Sequence, residues 1–135
     1  MVNKLRSKRL THLFQEVLEH LPKKDRALLS RRILLVVDDP FFIPKGHRAK
    51  WGAAIGVKFM KSIAIVYLSP RKLARQPEDF IRYVIAHELA HVRRGHIEQL
   101  FRPTFNESDC EREADAQVKK WGFPIPSRKK SRNAN

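Results

Sequence analysis

The sequence predicts one small α+β domain, in which a sheet of about three strands packs on helices. Two patterns carry this prediction: stretches with apolar residues at helical spacing, and short β-branched runs bounded by proline, glycine or aspartate. The chain has 135 residues, of which 42% are hydrophobic, so it can bury one core but is too short for two. The longest stretch without a charged residue spans only nine residues, about half of what a bilayer-spanning helix needs.

The first third of the chain is predicted to form two helices followed by a strand. Apolar residues recur at helical spacing over 11–21, and Pro22 ends that amphipathic helix. A short second helix is expected over 24–30. The run Ile33–Val37 is rich in β-branched residues and stops at two aspartates and a proline, which is typical of a buried strand. Residues 1–32 are therefore the expected helical part.

The middle of the chain is expected to add a loop and two strands. Two prolines and a glycine make 40–50 a loop. The segment 51–59 is a weaker strand candidate because two glycines interrupt it. The segment 63–69 is a stronger one, ended by Pro70.

The last third is expected to hold two helices and a tail. Pro77 limits the start of a long helix with two acids in its first turn, where the helix dipole favours them, and Gly95 ends it. A connector leads to a final helix over about 108–121. The domain thus covers 1–123, and the basic, polar segment 124–135 is expected to be a disordered tail.

Positive charge is concentrated in the first half of the chain. The formal net charge is +14; residues 1–75 carry 17 basic and 5 acidic side chains, and 40–77 contains no acid at all. Such a surface attracts nucleic acid or acidic protein segments, although no nucleic-acid recognition motif accompanies it. The single cysteine, Cys110, has no internal disulfide partner, and no apolar signal segment follows the basic start. A cytoplasmic protein with no membrane partner is expected.

The long helix carries the motif with chemical meaning, HELAH. Its two histidines, His87 and His91, are four residues apart, so their imidazoles stand one turn apart on one helix face. Two imidazoles in that arrangement can share a tetrahedral zinc ion. Glu88 follows the first histidine and can act as the general base that takes a proton from the attacking water.

A third ligand has to come from an acid, because no histidine follows His96 and the spacing of the longer H-E-x-x-H-x-x-G-x-x-H motif is missed by one place. Glu111 and Asp115 of the last helix are four apart and share a face. Glu111 is assigned as the third ligand, and Asp115 as the acceptor that orients a ligand histidine. A capping box formed by Ser108 and Glu111 is the competing interpretation, unless Asn106 or Thr104 starts the helix.

HELAH followed by E-x-x-x-D on the next helix resembles the gluzincin metallopeptidases, in particular the small ImmA/IrrE-type family, over about residues 81–123. The resemblance implies a minimal gluzincin-like domain with zinc held by the two motif histidines and Glu111. It also implies an edge strand that binds substrate backbone, which by position would be formed by Val66, Tyr67, Leu68 and Ser69. The group that stabilises the oxyanion is not fixed by a motif; the candidates are Tyr83 and His96, with Tyr67 and His47 also open.

The predicted function is that of a zinc-dependent metalloendopeptidase that hydrolyses protein or peptide amide bonds through zinc-activated water. The basic surface favours a substrate that is acidic or associated with nucleic acid. The alternative is a non-catalytic, zinc-stabilised module that binds nucleic acid or a regulator. No helix-turn-helix partner domain is recognisable in the sequence.

Overall fold

One mixed sheet forms the centre of the domain. The computed structural model describes residues 1–42, 51–57, 60–96 and 106–126. Within these ranges four strands lie in the order β1-β2-β4-β3. β1, β2 and β4 are parallel, and β3 runs antiparallel to β4. Their bounds are Val2–Lys4 for β1, Ile33–Val37 for β2, Gly52–Val57 for β3 and Met60–Leu68 for β4.

Five α-helices lie in the described part of the chain, and several of their ends coincide with local signals in the sequence. The side chains of Ser7, Ser69 and Asn106 cap the first, third and fifth helix by accepting a hydrogen bond from a backbone N–H. Gly95 and Gly122, with φ of 73° and 88°, take the left-handed conformation just after the two long C-terminal helices. The helices are α1 Lys8–His20, α2 Lys23–Ser30, α3 Pro70–Leu73, α4 Glu78–Arg93 and α5 Glu107–Lys120, and a 3-10 turn covers Pro40–Phe42.

The main core lies between the helices and one face of the sheet. Alternate residues of β2 and β4 are buried against α1 and α4, as the two-residue period of a strand requires. Asp25 connects α2 to α4 and to the end of α5. Its carboxylate accepts hydrogen bonds from Arg93 Nε at 2.6 Å and from Trp121 Nε1 at 3.1 Å. These contacts fix α4 and the end of α5 relative to each other, which is what the site requires.

The small α+β class is confirmed, and most expected elements lie close to their predicted bounds. α1 begins at Lys8, three residues early, because Ser7 provides the cap. β4 begins three residues early, at Met60. β1 and α3 were not expected, since three and four residues are too short to establish a periodicity. The loop predicted over 40–50, the connector over 95–106 and the tail over 124–135 lie largely outside the described residues.

The predicted substrate edge is wrong. Val66, Tyr67 and Leu68 belong to β4, and β4 is hydrogen-bonded to β2 on one side and to β3 on the other. Ser69 donates its backbone N–H to the carbonyl of Trp51 at 2.8 Å. These backbone groups are therefore already paired. Among the described strands it is β3 that lies at the edge on this side of the sheet.

No helix in the described ranges is long and apolar enough to cross a membrane.

Candidate metal centre

α4 brings the two motif histidines together. His87 and His91 lie on one face of the helix, and their Nε2 atoms are 3.0 Å apart. The rings are nearly perpendicular, with centroids separated by 4.6 Å. Potential ligand atoms of these histidines and of Glu88 all lie within 4.8 Å of one another. The helical spacing read from the sequence thus produces a cluster that could hold a metal ion.

α5 adds a carboxylate to the same point. Oε2 of Glu111 lies 2.8 Å from Nε2 of His87, and Oε1 lies 2.9 Å from Nε2 of His91. The competing capping-box interpretation does not hold, because α5 begins at Glu107 and Asn106 is its cap, accepting from the N–H of Asp109. The side chain of Glu111 is therefore available to face α4.

The outer nitrogen of each histidine is held by a second partner. Nδ1 of His87 lies 2.9 Å from Oδ1 of Asp115, and the same oxygen accepts a hydrogen bond from the hydroxyl of Tyr83 at 2.7 Å. Nδ1 of His91 lies 2.9 Å from Nδ1 of His96. The role predicted for Asp115, orienting a ligand histidine, fits this geometry.

The contact at Nδ1 of His87 determines whether its Nε2 atom can donate or accept a hydrogen bond. An ionised carboxylate only accepts hydrogen bonds, so His87 must donate from Nδ1 to Asp115, and its neutral ring then presents a lone pair at Nε2. Glu111 contributes two further acceptor oxygens at the same place. Acceptor atoms that are 2.8 to 3.0 Å apart repel one another unless a cation or a proton lies between them.

The pKa values of the cluster follow from this crowding. Burial acts to lower the pKa of His87, but hydrogen bonds to Asp115 and Glu111 outweigh it and raise the pKa to about 10. Burial also acts to raise the pKa of Glu111, yet hydrogen bonds from His87 and His91 leave it well below its usual value. In the metal-free cluster a proton supplies the positive charge, and a metal ion would displace it.

The donor set suits zinc. Two imidazole nitrogens and one carboxylate, with a position left over, form a donor set found in catalytic zinc sites. Zinc bonds of about 2.0–2.1 Å in a tetrahedron separate the ligand atoms by about 3.3 Å. The observed separations of 2.8 to 3.0 Å are smaller by a few tenths of an ångström.

Glu88 lies beside this cluster, between α4 and the first residue of β3. Its side chain is buried, at 7% exposure, and burial raises the pKa of its carboxyl group, while the nearby histidines oppose that shift. A Cβ atom added to Gly52 would lie 3.4 Å from Oε2 of Glu88 and 2.7 Å from the carbonyl oxygen of Tyr67. The absence of a side chain at Gly52 is what lets β3 approach the backbone carbonyl of Tyr67 on β4 this closely.

We expect the substitution Gly52→Ala to destabilise the protein by about 1–3 kcal/mol, the usual cost of overpacking. The new methyl group would meet a backbone carbonyl of the neighbouring strand, which cannot swing aside as a flexible side chain can. The free energy of unfolding, measured in urea, checks this. A variant as stable as the wild type would contradict the close approach between β3 and β4.

Two candidates for stabilising the oxyanion have other partners. Tyr83 gives its one hydroxyl proton to Asp115. His96 is only 3% exposed, and both of its ring nitrogens are engaged, one by His91 and the other by Oε2 of Glu113 at 2.7 Å. Tyr67 is buried on β4, and His47 lies outside the described residues.

Sequence reasoning missed the contributions of Gly52 and Glu113. On a helix of 3.6 residues per turn, Glu113 lies about 200° round from Glu111, which by itself assigns it no part in the metal centre. It does point away from Glu111, but towards His96. In the sequence, Gly52 is recognisable only as a glycine that interrupts a strand pattern.

Comparisons of the chain with protein-family models, with curated proteins and with solved structures found no match. The resemblance to gluzincins therefore rests on the residues of the two helices alone.

Proposed function

We propose that this protein is a zinc-dependent metallopeptidase of the gluzincin type. One observation carries the proposal: Nε2 of His87, Nε2 of His91 and the carboxylate oxygens of Glu111 meet at separations of 2.8 to 3.0 Å, and Glu88 lies directly beside that point. Such a centre calls for a cation, and the adjacent carboxyl group gives the cation a catalytic use.

Each residue then has a chemical task. His87, His91 and Glu111 would hold the metal. Zinc, when bound, would lower the pKa of a water molecule and polarise the scissile carbonyl group. Glu88 would take the proton from that water and pass it to the leaving amine. Its burial suits this role, since a raised pKa makes the carboxyl group a more effective general base and acid at neutral pH.

The substrate would lie along β3 as an extended peptide. β3 is the outer strand beside the cluster, and its first residue, Gly52, faces Glu88. Peptides bind to such edges through main-chain hydrogen bonds. This moves the substrate-binding role that the resemblance implied from Val66–Ser69, on the paired strand, to the edge strand.

The charge of the chain favours acidic or nucleic-acid-associated protein substrates. The net charge is +14, and a basic surface raises the local concentration of anionic partners. The lone Cys110, which is buried, suits a reducing compartment, so we place the protein in the cytoplasm.

The direct test is metal-dependent cleavage. The purified chain is incubated with a peptide library derived from a proteome, and new termini are identified by mass spectrometry. We expect cleavage to stop with 1,10-phenanthroline, to continue with the non-chelating isomer 1,7-phenanthroline, and to return when zinc is added back. Cleavage that is equal with both isomers would contradict a metal-dependent enzyme. A zinc-loaded chain that cleaves no peptide would favour the non-catalytic binding module.

A further inference from the structure

His96 occupies a buried position between α4 and α5 that the catalytic proposal does not use. It follows Gly95, whose φ of 73° turns the chain back at the end of α4. The ring is 3% exposed and links two side chains, with Nδ1 at 2.9 Å from Nδ1 of His91 and Nε2 at 2.7 Å from Oε2 of Glu113. A buried imidazole with both nitrogens bonded has a fixed orientation.

The donor and acceptor of each hydrogen bond between Glu113, His96 and His91 follow from the Glu113 end of this row. The Glu113 carboxylate can only accept, so Nε2 of His96 donates to it. The neutral ring of His96 then has a lone pair at Nδ1, which accepts a hydrogen bond from Nδ1 of His91. When a metal ion takes the place of the proton in the cluster, His91 would therefore present its lone pair at Nε2, the atom that lies 2.9 Å from Oε1 of Glu111.

The two histidines of the motif are thus supported in different ways by one helix. Asp115 reaches His87 directly. Glu113 lies on another side of α5 and acts on His91 through an inserted ring. Three acids at alternate positions of α5 therefore serve the same centre. Glu111 is the one that faces it directly.

We propose that His96 and Glu113 are positioning residues, which hold His91 in the tautomer and orientation that present Nε2 to the metal. This inference rests on the proposed metal centre. Without Glu113, the ring of His96 can reverse its donor and acceptor, and His91 can then carry its proton on Nε2, where it blocks metal binding. Losing a partner of this kind typically weakens metal affinity by about 10–100-fold.

The first test measures zinc affinity by competition with a chromophoric chelator. Glu113 is half-exposed, so E113A should fold, and E19Q, which alters an exposed acid of α1, is the charge control. We expect about 10–100-fold weaker zinc binding in E113A and none of that loss in E19Q. Wild-type affinity in E113A would overturn the proposal.

A double-mutant cycle tests whether the two residues act as one unit. We expect the combination H96F/E113A to bind zinc no more weakly than H96F alone, because Glu113 acts only through His96. Losses of zinc affinity that simply add would show independent effects of the two residues. They would contradict the relay, that is, the hydrogen bonds that run from Glu113 through His96 to His91.

A spectroscopic readout separates the relay from the metal proposal. In the chelator-treated protein, the ¹⁵N shifts of the ring distinguish a protonated from an unprotonated Nδ1 of His91. We expect a protonated Nδ1 in the wild type and a mixture of tautomers in E113A; unchanged shifts in E113A would overturn the inference. If the wild type binds no zinc, the proposed function fails, but these shifts still decide whether the relay exists.

Discussion

The substitution Glu88→Gln is expected to leave zinc binding intact and to lower the rate of peptide cleavage by about 10²–10⁴-fold, the usual contribution of a general acid–base group. Glutamine has nearly the same shape as glutamate, so it fits the buried space that the side chain of Glu88 occupies. An amide cannot take up the proton that the attacking water must lose. The variant therefore removes the proposed proton transfer and leaves the three metal-holding side chains in place.

The measurement pairs zinc content with the initial rate of cleavage for each preparation. E19Q again serves as the matched control, because it removes the same charge from an exposed position, and both quantities should stay at their wild-type values. Cleavage at the full rate in zinc-loaded Glu88→Gln would exclude Glu88 as the base. If a binding activity of the chain were also unaffected, the zinc-stabilised binding module would become the better interpretation.

The residues that could be predicted from the sequence are those whose placement depends on one helix. The spacing of His87 and His91 fixes their relation on α4, and the spacing of Glu111 and Asp115 does the same on α5. Bringing Glu111 to the histidines requires in addition that α5 folds back across α4. Glu111 comes twenty residues after His91, which leaves enough chain for that turn.

The features that could not be predicted depend on pairings between distant segments. The pattern of 63–69 shows a buried strand but does not say which strands lie beside it, and β1, with three residues, gave no signal that the sheet extends that way. The resemblance implied an edge at Val66–Ser69 by position alone, whereas in the sheet the edge on this side is β3. In the same way, helical geometry places Glu113 away from Glu111, but it does not say that the turn at Gly95 inserts His96 into the space that Glu113 faces.

The substitution Glu111→Ala is expected to remove zinc from a chain that otherwise carries about one ion. Glu111 supplies one of the three proposed ligands, and two histidines alone leave the site half built. The loss should exceed the roughly 10–100-fold cost of losing an outer partner of a ligand. Metal content after dialysis, measured by mass spectrometry, and the zinc dissociation constant both report it.

The exposed Glu107, at the start of the same helix, offers the matched control, since E107A removes an equal charge without touching the cluster. Wild-type zinc content in Glu111→Ala would show that the carboxylate is not a ligand, and a wild type that takes up no zinc would reduce HELAH to a coincidence. Cleavage separates the two proposed roles further. Activity lost through Glu111→Ala should return in part when excess zinc refills the weakened site, whereas activity lost through Glu88→Gln should not, because no amount of metal replaces the base.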